Sequence, residues 1–483
     1  MGKLPPTILF FTNAELGQSS VMLAVASELA TASGDDDEDY DVHIASFSGL
    51  ANSVPPEISF HALPGICMKD AFTAKGFDFF PRHAPGVQGA MQSYRTILQA
   101  LMAPWEDETY LGLYDRCVEL IEELRPDAVI VDPLLGPALD ACSTHHKRYV
   151  VLSPGTFKDH VINLQPRLEV LWKYPVFSSG FSLPIPLSSI PTNIYLIYQL
   201  IKLSLFSPRV QSLVKARNEH GIPGKMTTGY NQCDPNVLHL VPATRSTDWP
   251  FSVIPPNVIG CGPILPVVAQ QPLDPAFARW IAARPTLIIN MGSHITYDEG
   301  QFAEVLAAIE ACLALHPDIQ VLWKCRRTIN TAKDEEKRSV ELVVDDPRIR
   351  ITEWLPASPV ACLTASKSVL AYVHHGGANS FYEAVAAGVP QVICPVWIDT
   401  YDFAVRAELA GIGVRGNQTA APYVEMNELT SAFEKVVGNS PEAEDMRIKA
   451  RLLAEEVGGL DMGRKVGAEE IRKLVAERAS SVL

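Results

Sequence analysis

The chain has 483 residues, of which 47% are apolar and 20% are charged, and its formal net charge at pH 7 is −15. This composition excludes a disordered chain, and the length exceeds what one ordinary hydrophobic core organises, so we expect two large domains. The negative charge argues against nucleic acid as a partner, because phosphates would be repelled, but it allows a nucleotide held by a local group of backbone N–H donors.

The cysteines and the apolar runs indicate the cellular context. Nine cysteines are scattered along the chain without a Cys-x-x-Cys or His-x-His pair, which argues against a zinc site and predicts buried thiols in a reducing compartment. The N-terminal apolar run is too short for a signal peptide, and no apolar run reaches the length of about eighteen residues that a membrane-spanning helix needs. We therefore expect a cytoplasmic protein without an integral membrane segment; its oligomeric state stays open.

In the first half of the chain, predicted strands alternate with predicted helices. Thr7–Thr12 is an almost continuous apolar run, as in a parallel strand that is buried on both faces, and apolar residues then recur at helical spacing from Met22 to Ala30. Residues 64–110 are rich in Gly, Pro and aromatic residues, and we expect them to be mostly irregular. Further strands are predicted at 41–47, 128–131, 149–152, 236–241 and 258–259, and helices at 113–124 and from 133 through 142. This alternation predicts a doubly wound α/β domain.

Asn193–Phe206, with the sequence NIYLIYQLIKLSLF, is predicted to be a strongly apolar helix. The first interpretation is a helix that packs on its own domain. Two alternatives stay open, namely a wall of a pocket for an apolar acceptor and a contact with a membrane surface.

The second half repeats the α/β pattern. Strands are predicted at 286–290, 320–323 and 349–352, and a helix at 301–315. The predicted division is an N-terminal domain 1–262, a linker 263–284, a C-terminal domain 285–465 and a C-terminal helix within 466–483 that crosses back to the first domain. The predicted fold class is therefore α/β, with two Rossmann-like domains that face each other across a cleft.

The stretch from Val373 to Pro395, VHHGGANSFYEAVAAGVPQVICP, carries the main functional signal. A predicted strand at 370–373 leads through two glycines into a predicted helix at 380–387, and a further strand follows at 391–394. Glycines let backbone N–H groups approach a ligand closely, and the helix dipole places about half a positive charge at the helix N-terminus. A tight connection without a ligand is the alternative, but the His, Asn, Ser and Glu side chains around the turn favour an anion site.

This stretch resembles the donor-binding box of the UDP-dependent glycosyltransferases, which are GT-B enzymes of glycosyltransferase family 1. The resemblance begins at Trp354-Leu355-Pro356 and continues through ten positions at fixed spacing. Those positions are His375, Gly377, Asn379, Ser380, Glu383, Gly388-Val389-Pro390, Pro395 and Asp399.

The resemblance implies a binding role for each part of a UDP-sugar. Trp354 would stack on the uracil, and Glu383 would accept hydrogen bonds from the ribose. The diphosphate would lie against a group of polar residues and glycines, without a metal or other cofactor, because positive dipoles take the place of the metal. This group consists of Gly292, Ser293, His375, Gly377, Asn379 and Ser380.

The sugar position departs from the family pattern. Asp399 matches the acidic residue that holds the sugar hydroxyls, but Thr400 stands where the family usually has Gln. Because the shorter side chain cannot make the same two hydrogen bonds, the identity of the sugar is open, with glucose as the default.

The position of the catalytic base departs further. Family members have a histidine directly after the glycine of the first strand–helix loop, whereas here Gly17 is followed by Gln18, whose neutral amide cannot take up a proton. Asp132 matches the carboxylate that orients this histidine. Three hypotheses follow: Asp132 acts as the base on an acidic hydroxyl, another histidine of this half (His83, His145 or His160) enters, or the protein transfers sugar slowly or not at all.

The resemblance implies a metal-independent, inverting transfer of a sugar from a UDP-sugar to a small apolar acceptor with a hydroxyl group, and the missing base favours a phenolic hydroxyl. Two alternatives stay open: a catalytically impaired partner protein that binds a nucleotide sugar, and a nucleotide-sugar epimerase of GT-B architecture.

Overall fold

The computed structural model describes residues 5–31, 39–76, 80–145, 148–224, 226, 233–267, 273–328 and 345–481, which form two parallel β-sheets covered by helices. The strands of the first sheet are β1 Thr7–Phe11, β2 Asp41–Ser46, β3 Ser59–Ala62, β4 Ala128–Val131, β5 Tyr149–Leu152, β6 Leu238–Val241 and β7 Val258–Gly260. Those of the second sheet are β8 Thr286–Asn290, β9 Gln320–Lys324, β10 Ile349–Thr352, β11 Val369–His374, β12 Gln391–Ile393 and β13 Gly413–Arg415.

The helices fall into two groups that follow the sheets. Those of the first half are α1 Leu16–Ala30, α2 Met68–Ala74, α3 Gly86–Ser93, α4 Gln99–Met102, α5 Asp107–Leu124, α6 Gly136–His145, α7 Phe157–Val161, α8 Glu169–Trp172, α9 Ile190–Phe206 and α10 Pro208–Glu219, with a π-helical turn at Tyr94–Leu98. Those of the second half are α11 Pro275–Ala283, α12 Glu299–Leu315, α13 Pro359–Thr364, α14 Ala378–Ala387, α15 Thr400–Ala410, α16 Met426–Val437, α17 Pro441–Glu456 and α18 Met462–Ser481.

The strand order confirms the predicted two-domain α/β fold. The first sheet has the order β3-β2-β1-β4-β5-β6-β7 and the second the order β10-β9-β8-β11-β12-β13, and all neighbouring strands are parallel. The chain enters each sheet near its centre: β1 pairs with β2 on one side and β4 on the other, and β8 pairs with β9 and β11. Such a switch point opens a crevice at the carboxyl ends of the strands, where ligands bind in doubly wound sheets.

The C-terminal helix α18 packs on α1 of the first domain. Its residues Ala468, Ile471 and Val475 are buried in the same apolar cluster as the residues of β1 and α1. Arg464 Nε also donates to Glu28 Oε2 at 2.9 Å.

Residues 64–110 are more helical than their composition indicates. We expect this stretch to be mostly irregular, but α2, α3, a π-helical turn and α4 lie in it. Met68 and Phe72 of α2 are buried in the same cluster as Trp105, whose indole N–H donates to Ile66 O at 2.8 Å. Tertiary burial thus outweighs the helix-breaking effect of the local glycines and prolines.

Two buried ion pairs join the domains beside the cleft. Lys158 Nζ of α7 donates to Asp402 Oδ2 of α15 at 2.6 Å, and Arg406 Nε of α15 donates to Asp248 Oδ1 at 2.7 Å. All four side chains are almost inaccessible to solvent, and both cations lie against the ring of Trp249. Separating such a pair would leave buried charges without a partner, which is strongly destabilising. The two ion pairs therefore fix how the domains meet.

Within the described ranges, no helix combines the length and the hydropathy that crossing a bilayer requires.

Candidate active site

The candidate site lies at the carboxyl ends of β8 and β11, which are neighbours in the second sheet. Val373 of β11 is in register with Ile289 of β8, so the residues that follow the two strands meet at one edge. The residues after β8 are Gly292 and Ser293, and those after β11 include His375. The sheet thus brings together two segments that are more than eighty residues apart in the chain.

The turn between β11 and α14 is held by His374. Its Nδ1 accepts from the backbone N–H of Gly376 at 3.0 Å, and its Nε2 lies 2.9 Å from Gln391 Oε1. Gly376 has a φ of +90°, and an added Cβ would come within 2.7 Å of Thr400 O, so only glycine fits there. His374 is fully buried, and burial lowers the pKa of its ring to about 4, as expected for a structural residue beside His375.

His375 lies between two glycines. An added Cβ at Gly292 would come 2.7 Å from its Cε1, and one at Gly377 would come 2.6 Å from its Nε2. Burial is the main cause that lowers the pKa of His375, to about 3, with His374, His294 and Lys324 adding to it, so the ring is neutral at pH 7. Its Nδ1 is buried and has no hydrogen-bond partner among the described residues. A neutral ring in this position is suited to make one hydrogen bond to a ligand at the N-terminus of α14.

Two basic residues at the carboxyl end of β9 hold the Gly292-Ser293 loop, namely Lys324, the last residue of the strand, and Arg326, two residues further on. Lys324 Nζ donates to Gly292 O at 2.9 Å, and Arg326 Nη1 donates to Ser293 O at 2.6 Å. Gly292 itself has a φ of +85°. Burial, followed by the charge of Arg326, lowers the pKa of Lys324 to about 8. Sequence reasoning missed both cations, although a basic run at the carboxyl end of a predicted strand was the available signal.

Trp354 presents an accessible ring close to these cations. Its side chain is 55% exposed, with Lys324 Nζ 4.3 Å and Arg326 Cζ 5.0 Å from the ring centroid. An exposed indole offers an apolar surface on which a planar ring can stack, and the two cations over the indole make the potential at this place positive. Glu383, one turn into α14, is partly exposed, and burial raises the pKa of its carboxyl group to about 8.

Asn379 and Ser380 make contacts within the protein in this structure. Asn379 Nδ2 donates across the cleft to Ser20 Oγ at 3.0 Å and approaches Leu16 O at 3.4 Å. Ser380 is buried and hydrogen-bonded to the phenol of Tyr372. The N-termini of α1 and α14 therefore face each other at the cleft, and the predicted contacts of Asn379 and Ser380 with a diphosphate stay predictions.

Asp399 and Thr400 lie at the start of α15, beside the interdomain ion pairs. Burial is the main cause that raises the pKa of Asp399 to about 7, and the carboxylate of Asp159 in the first domain adds to it. The Thr400 hydroxyl group is buried and bonded within its own turn, where it donates to Trp397 O and accepts from the Val396 and Trp397 backbone N–H groups at 3.1 Å. In this structure Thr400 thus holds the turn that carries Asp399, and its direct contact with a sugar stays a prediction.

Asp132 is fully buried at the end of β4. Its carboxylate accepts from the backbone and side-chain N–H groups of Asn13, both at 3.0 Å, and from the Leu134 N–H at 2.8 Å. Burial raises the pKa of Asp132 to about 6, against the lowering effect of these hydrogen bonds. Gln18 lies in the first turn of α1, two residues before Ser20, and its buried Oε1 has no partner among the described residues.

Each of the three alternative histidines has a distinct environment. His83 is buried and tied to the second domain, since its Nε2 accepts from Ile398 N–H at 2.8 Å. His160 is buried against the ring of His239, and burial lowers its pKa to about 4. His145 is exposed at the C-terminus of α6, whereas Asp132 precedes the start of that helix, so α6 separates the two.

In the part of the chain that the structure describes, no three His, Cys, Asp or Glu side chains are arranged to hold a metal ion.

One protein family and several known proteins are similar to this chain. The family described as "Erythromycin biosynthesis protein CIII-like, C-terminal domain" matches residues 328–458, the segment that contains β11, α14 and Asp399. The glycosyltransferase sdnJ of Sordaria araneosa is 34% identical over 492 residues, which cover 93% of this chain and 94% of that protein. The UDP-glycosyltransferase stmC of Aspergillus ustus is 24% identical over 69% of this chain and 62% of its own length.

A solved structure shares the complete fold. The complex of a UDP-glucosyltransferase from Polygonum tinctorium, capable of glucosylating indoxyl, with 3,4-dichloroaniline superposes with a TM-score of 0.62. The sequences are 17% identical, and the match covers 98% of this chain and 99% of the other. At this identity the likeness concerns the fold, in which two Rossmann-like domains enclose a cleft.

Proposed function

This chain belongs to the UDP-glycosyltransferases of glycosyltransferase family 1, which move a sugar from a nucleotide sugar to an acceptor, and we propose that it transfers glucose from UDP-glucose to a small apolar acceptor with a phenolic or similarly acidic hydroxyl group. The observation that carries the proposal is the His375 ring, neutral and unpartnered at Nδ1, between Gly292 and Gly377 at the N-terminus of α14.

The donor side of the site fits the parts of UDP-glucose. Trp354 would stack on the uracil, and Glu383 would accept from the ribose hydroxyls, which favours its ionised form once the nucleotide is bound. His375 and the backbone N–H groups at the start of α14 would hold the diphosphate. We also assign Lys324 and Arg326 to this function, because two cations behind the Gly292-Ser293 loop stabilise the charge that develops on the departing UDP.

The proposal includes catalysis without a metal ion. Helix dipoles, a neutral histidine and two fixed cations together supply the positive potential that a divalent cation provides in other transferases. The chemistry is then an attack by the acceptor oxygen on the anomeric carbon with departure of UDP, which inverts the configuration at that carbon.

The acceptor side of the site offers little help in removing the acceptor proton. Gln18 cannot take up the acceptor proton, and the lone pairs of Asp132 are shared with Asn13 and Leu134. Proton removal therefore depends on Asp132, acting at a distance or through water, and on the acidity of the acceptor itself. This dependence is the reason for proposing phenolic acceptors; the Polygonum tinctorium enzyme that is capable of glucosylating indoxyl supports an aromatic acceptor with glucose as the sugar.

The hydrogen bonds that occupy the Asp132 carboxylate also favour a second candidate function. Asp132 would then only hold Asn13 and the backbone N–H of Leu134 in place. Such a protein would bind UDP-glucose and turn it over slowly or not at all.

Acceptor-dependent release of UDP distinguishes the two functions. UDP is measured enzymatically with UDP-glucose alone and with a panel of phenols and alkyl alcohols. Release that requires a phenol supports the transferase. Tight UDP-glucose binding without release on any acceptor supports the binding protein, and absence of binding contradicts both.

A further inference from the structure

Helix α9 presents a continuous apolar face to solvent. Its exposed positions are Pro191, Ile194, Tyr195, Tyr198, Ile201, Lys202, Leu205 and Phe206, of which one is charged. Ile194, Tyr195, Tyr198, Ile201, Leu205 and Phe206 are between 42% and 69% exposed. At about 100° per residue these positions fall within one half of the helix circumference, so they form a single stripe. Large apolar residues on one stripe of an exposed helix indicate an interaction surface, whereas scattered single ones do not.

The opposite face of α9 is firmly anchored. Leu196 is fully buried in a cluster with Tyr94 and Val176. Asn193 Oδ1 accepts from Val176 N–H at 2.8 Å, and its Nδ2 donates to Leu171 O and Tyr174 O. These contacts hold the inner face of the helix on its domain, so its apolar outer face is a fixed feature of the fold.

Neighbouring elements extend the apolar surface. Leu187, in the turn that leads into α9, is 85% exposed, and Leu168 and Trp172 of the adjoining α8 region are exposed as well. Arg167 and Leu168 both have positive φ values, +53° and +56°, which branched or long side chains rarely adopt. Backbone strain of this kind persists only where the surrounding structure enforces it, and here it accompanies an outward-facing leucine.

The charge around this surface is opposite to that of the protein. The chain has 55 acidic residues and a net charge of −15, yet no Asp or Glu occurs from Val170 to Asn218. Residues 80–105, which include α3 and α4 packed against α9, also contain none. Lys202 lies on the exposed stripe, and Arg95 and Arg167 are exposed on adjoining segments.

We propose that the α9 face binds the surface of an anionic lipid bilayer. An amphipathic helix that lies in the plane of a membrane inserts its apolar side chains into the headgroup boundary, and basic residues add attraction to anionic lipids. Tyr and Trp are enriched at this boundary, where their rings are half apolar and half wet, and Trp172, Tyr195 and Tyr198 meet that description. A second copy of the chain is a weaker occupant, because a two-fold contact would bring the like charges of Lys202 and its neighbours together.

The test is flotation of the full-length protein with vesicles. One set contains phosphatidylcholine alone and the other about one-third phosphatidylserine. We expect binding to the anionic set, reduced at least tenfold by the pair Tyr198→Glu and Ile201→Glu, and at least fivefold by Lys202→Glu. Leu452→Glu is the matched control, since Leu452 of α17 is 58% exposed and its replacement should leave binding unchanged.

Folding and self-association are controlled in the same variants. UDP affinity and the thermal transition should equal those of the wild type, because the replaced side chains face solvent. Absence of vesicle binding, equal binding to both vesicle sets, or binding that the paired variant retains would overturn the proposal. A dimer in sedimentation velocity that the paired variant dissociates would assign the face to a second copy instead.

Discussion

Gly292→Ala is the substitution that tests the His375 position most sharply. The alanine Cβ would lie 2.7 Å from His375 Cε1 and 3.1 Å from its Nδ1. The ring has little room to retreat, because its Nε2 already lies so close to Gly377 that a Cβ there would approach it to 2.6 Å. We expect the ring to leave its place and the proposed hydrogen bond from the ring to the diphosphate to be lost. A hydrogen bond to a charged group is worth about 1.5 to 3 kcal/mol, so UDP should bind about 10- to 150-fold more weakly.

Gly221→Ala is the matched control for backbone strain. Gly221 has the same φ of +85° as Gly292, but an added Cβ there meets no atom within 4 Å. Both substitutions should cost about 1 to 2 kcal/mol of stability, because alanine is strained in the left-handed region. Urea unfolding measures that shared cost, and calorimetry with UDP measures the effect that belongs to Gly292 alone.

The refuting result follows from this comparison. If Gly292→Ala binds UDP as tightly as the wild type, the diphosphate does not depend on the His375 ring between the two glycines. If Gly221→Ala weakens UDP binding equally, the loss arises from general destabilisation.

Three further predictions concern the base, the metal and pH. Asp132→Asn should lower the rate on phenols at least tenfold, whereas its UDP affinity by calorimetry should stay unchanged. Gln18→His should raise turnover of alkyl alcohols, whose pKa lies roughly half a dozen units above that of a phenol. If Asp132→Asn is as fast as the wild type on every acceptor, Asp132 is a structural cap. Transfer should continue at an unchanged rate in excess EDTA, whereas a rate that collapses and returns with Mn²⁺ would show that the mechanism is wrong. Burial lowers the pKa of His160 from 6.5 to about 4. As the pH falls through this window, the unfolded chain takes up a proton that the folded chain does not, and the folded protein becomes less stable. In urea unfolding at pH 4, His160→Phe should remove about 3 kcal/mol of this loss of stability, and parallel pH profiles of the variant and the wild type would contradict the prediction.

The buried strands were predictable because their signal is local. Ala128–Val131, Tyr149–Leu152, Thr286–Asn290 and Ile349–Thr352 have the predicted bounds, since short apolar runs between turn residues are typical of strands buried on both faces. The glycine turn before α14 was predictable for a similar reason, because its residues are consecutive.

The contacts between segments were not predictable, because they depend on how distant parts of the chain meet. Lys324 and Arg326 reach the Gly292-Ser293 loop only through the pairing of β8 with β9. Asn379 meets Ser20 across the cleft, 359 residues away in the chain. The hydroxyl group of Thr400 is bonded within its own turn, a choice of rotamer that sequence does not reveal.

The direct measurement of the central claim is detection of the glycoside itself. Mass spectrometry of a mixture of the protein, UDP-glucose and a phenol should show a glucosylated phenol in amounts equal to the UDP released. His375→Ala should reduce both together. UDP without glycoside would mean that the protein hydrolyses its donor, and neither product on any phenol would contradict the proposed transfer.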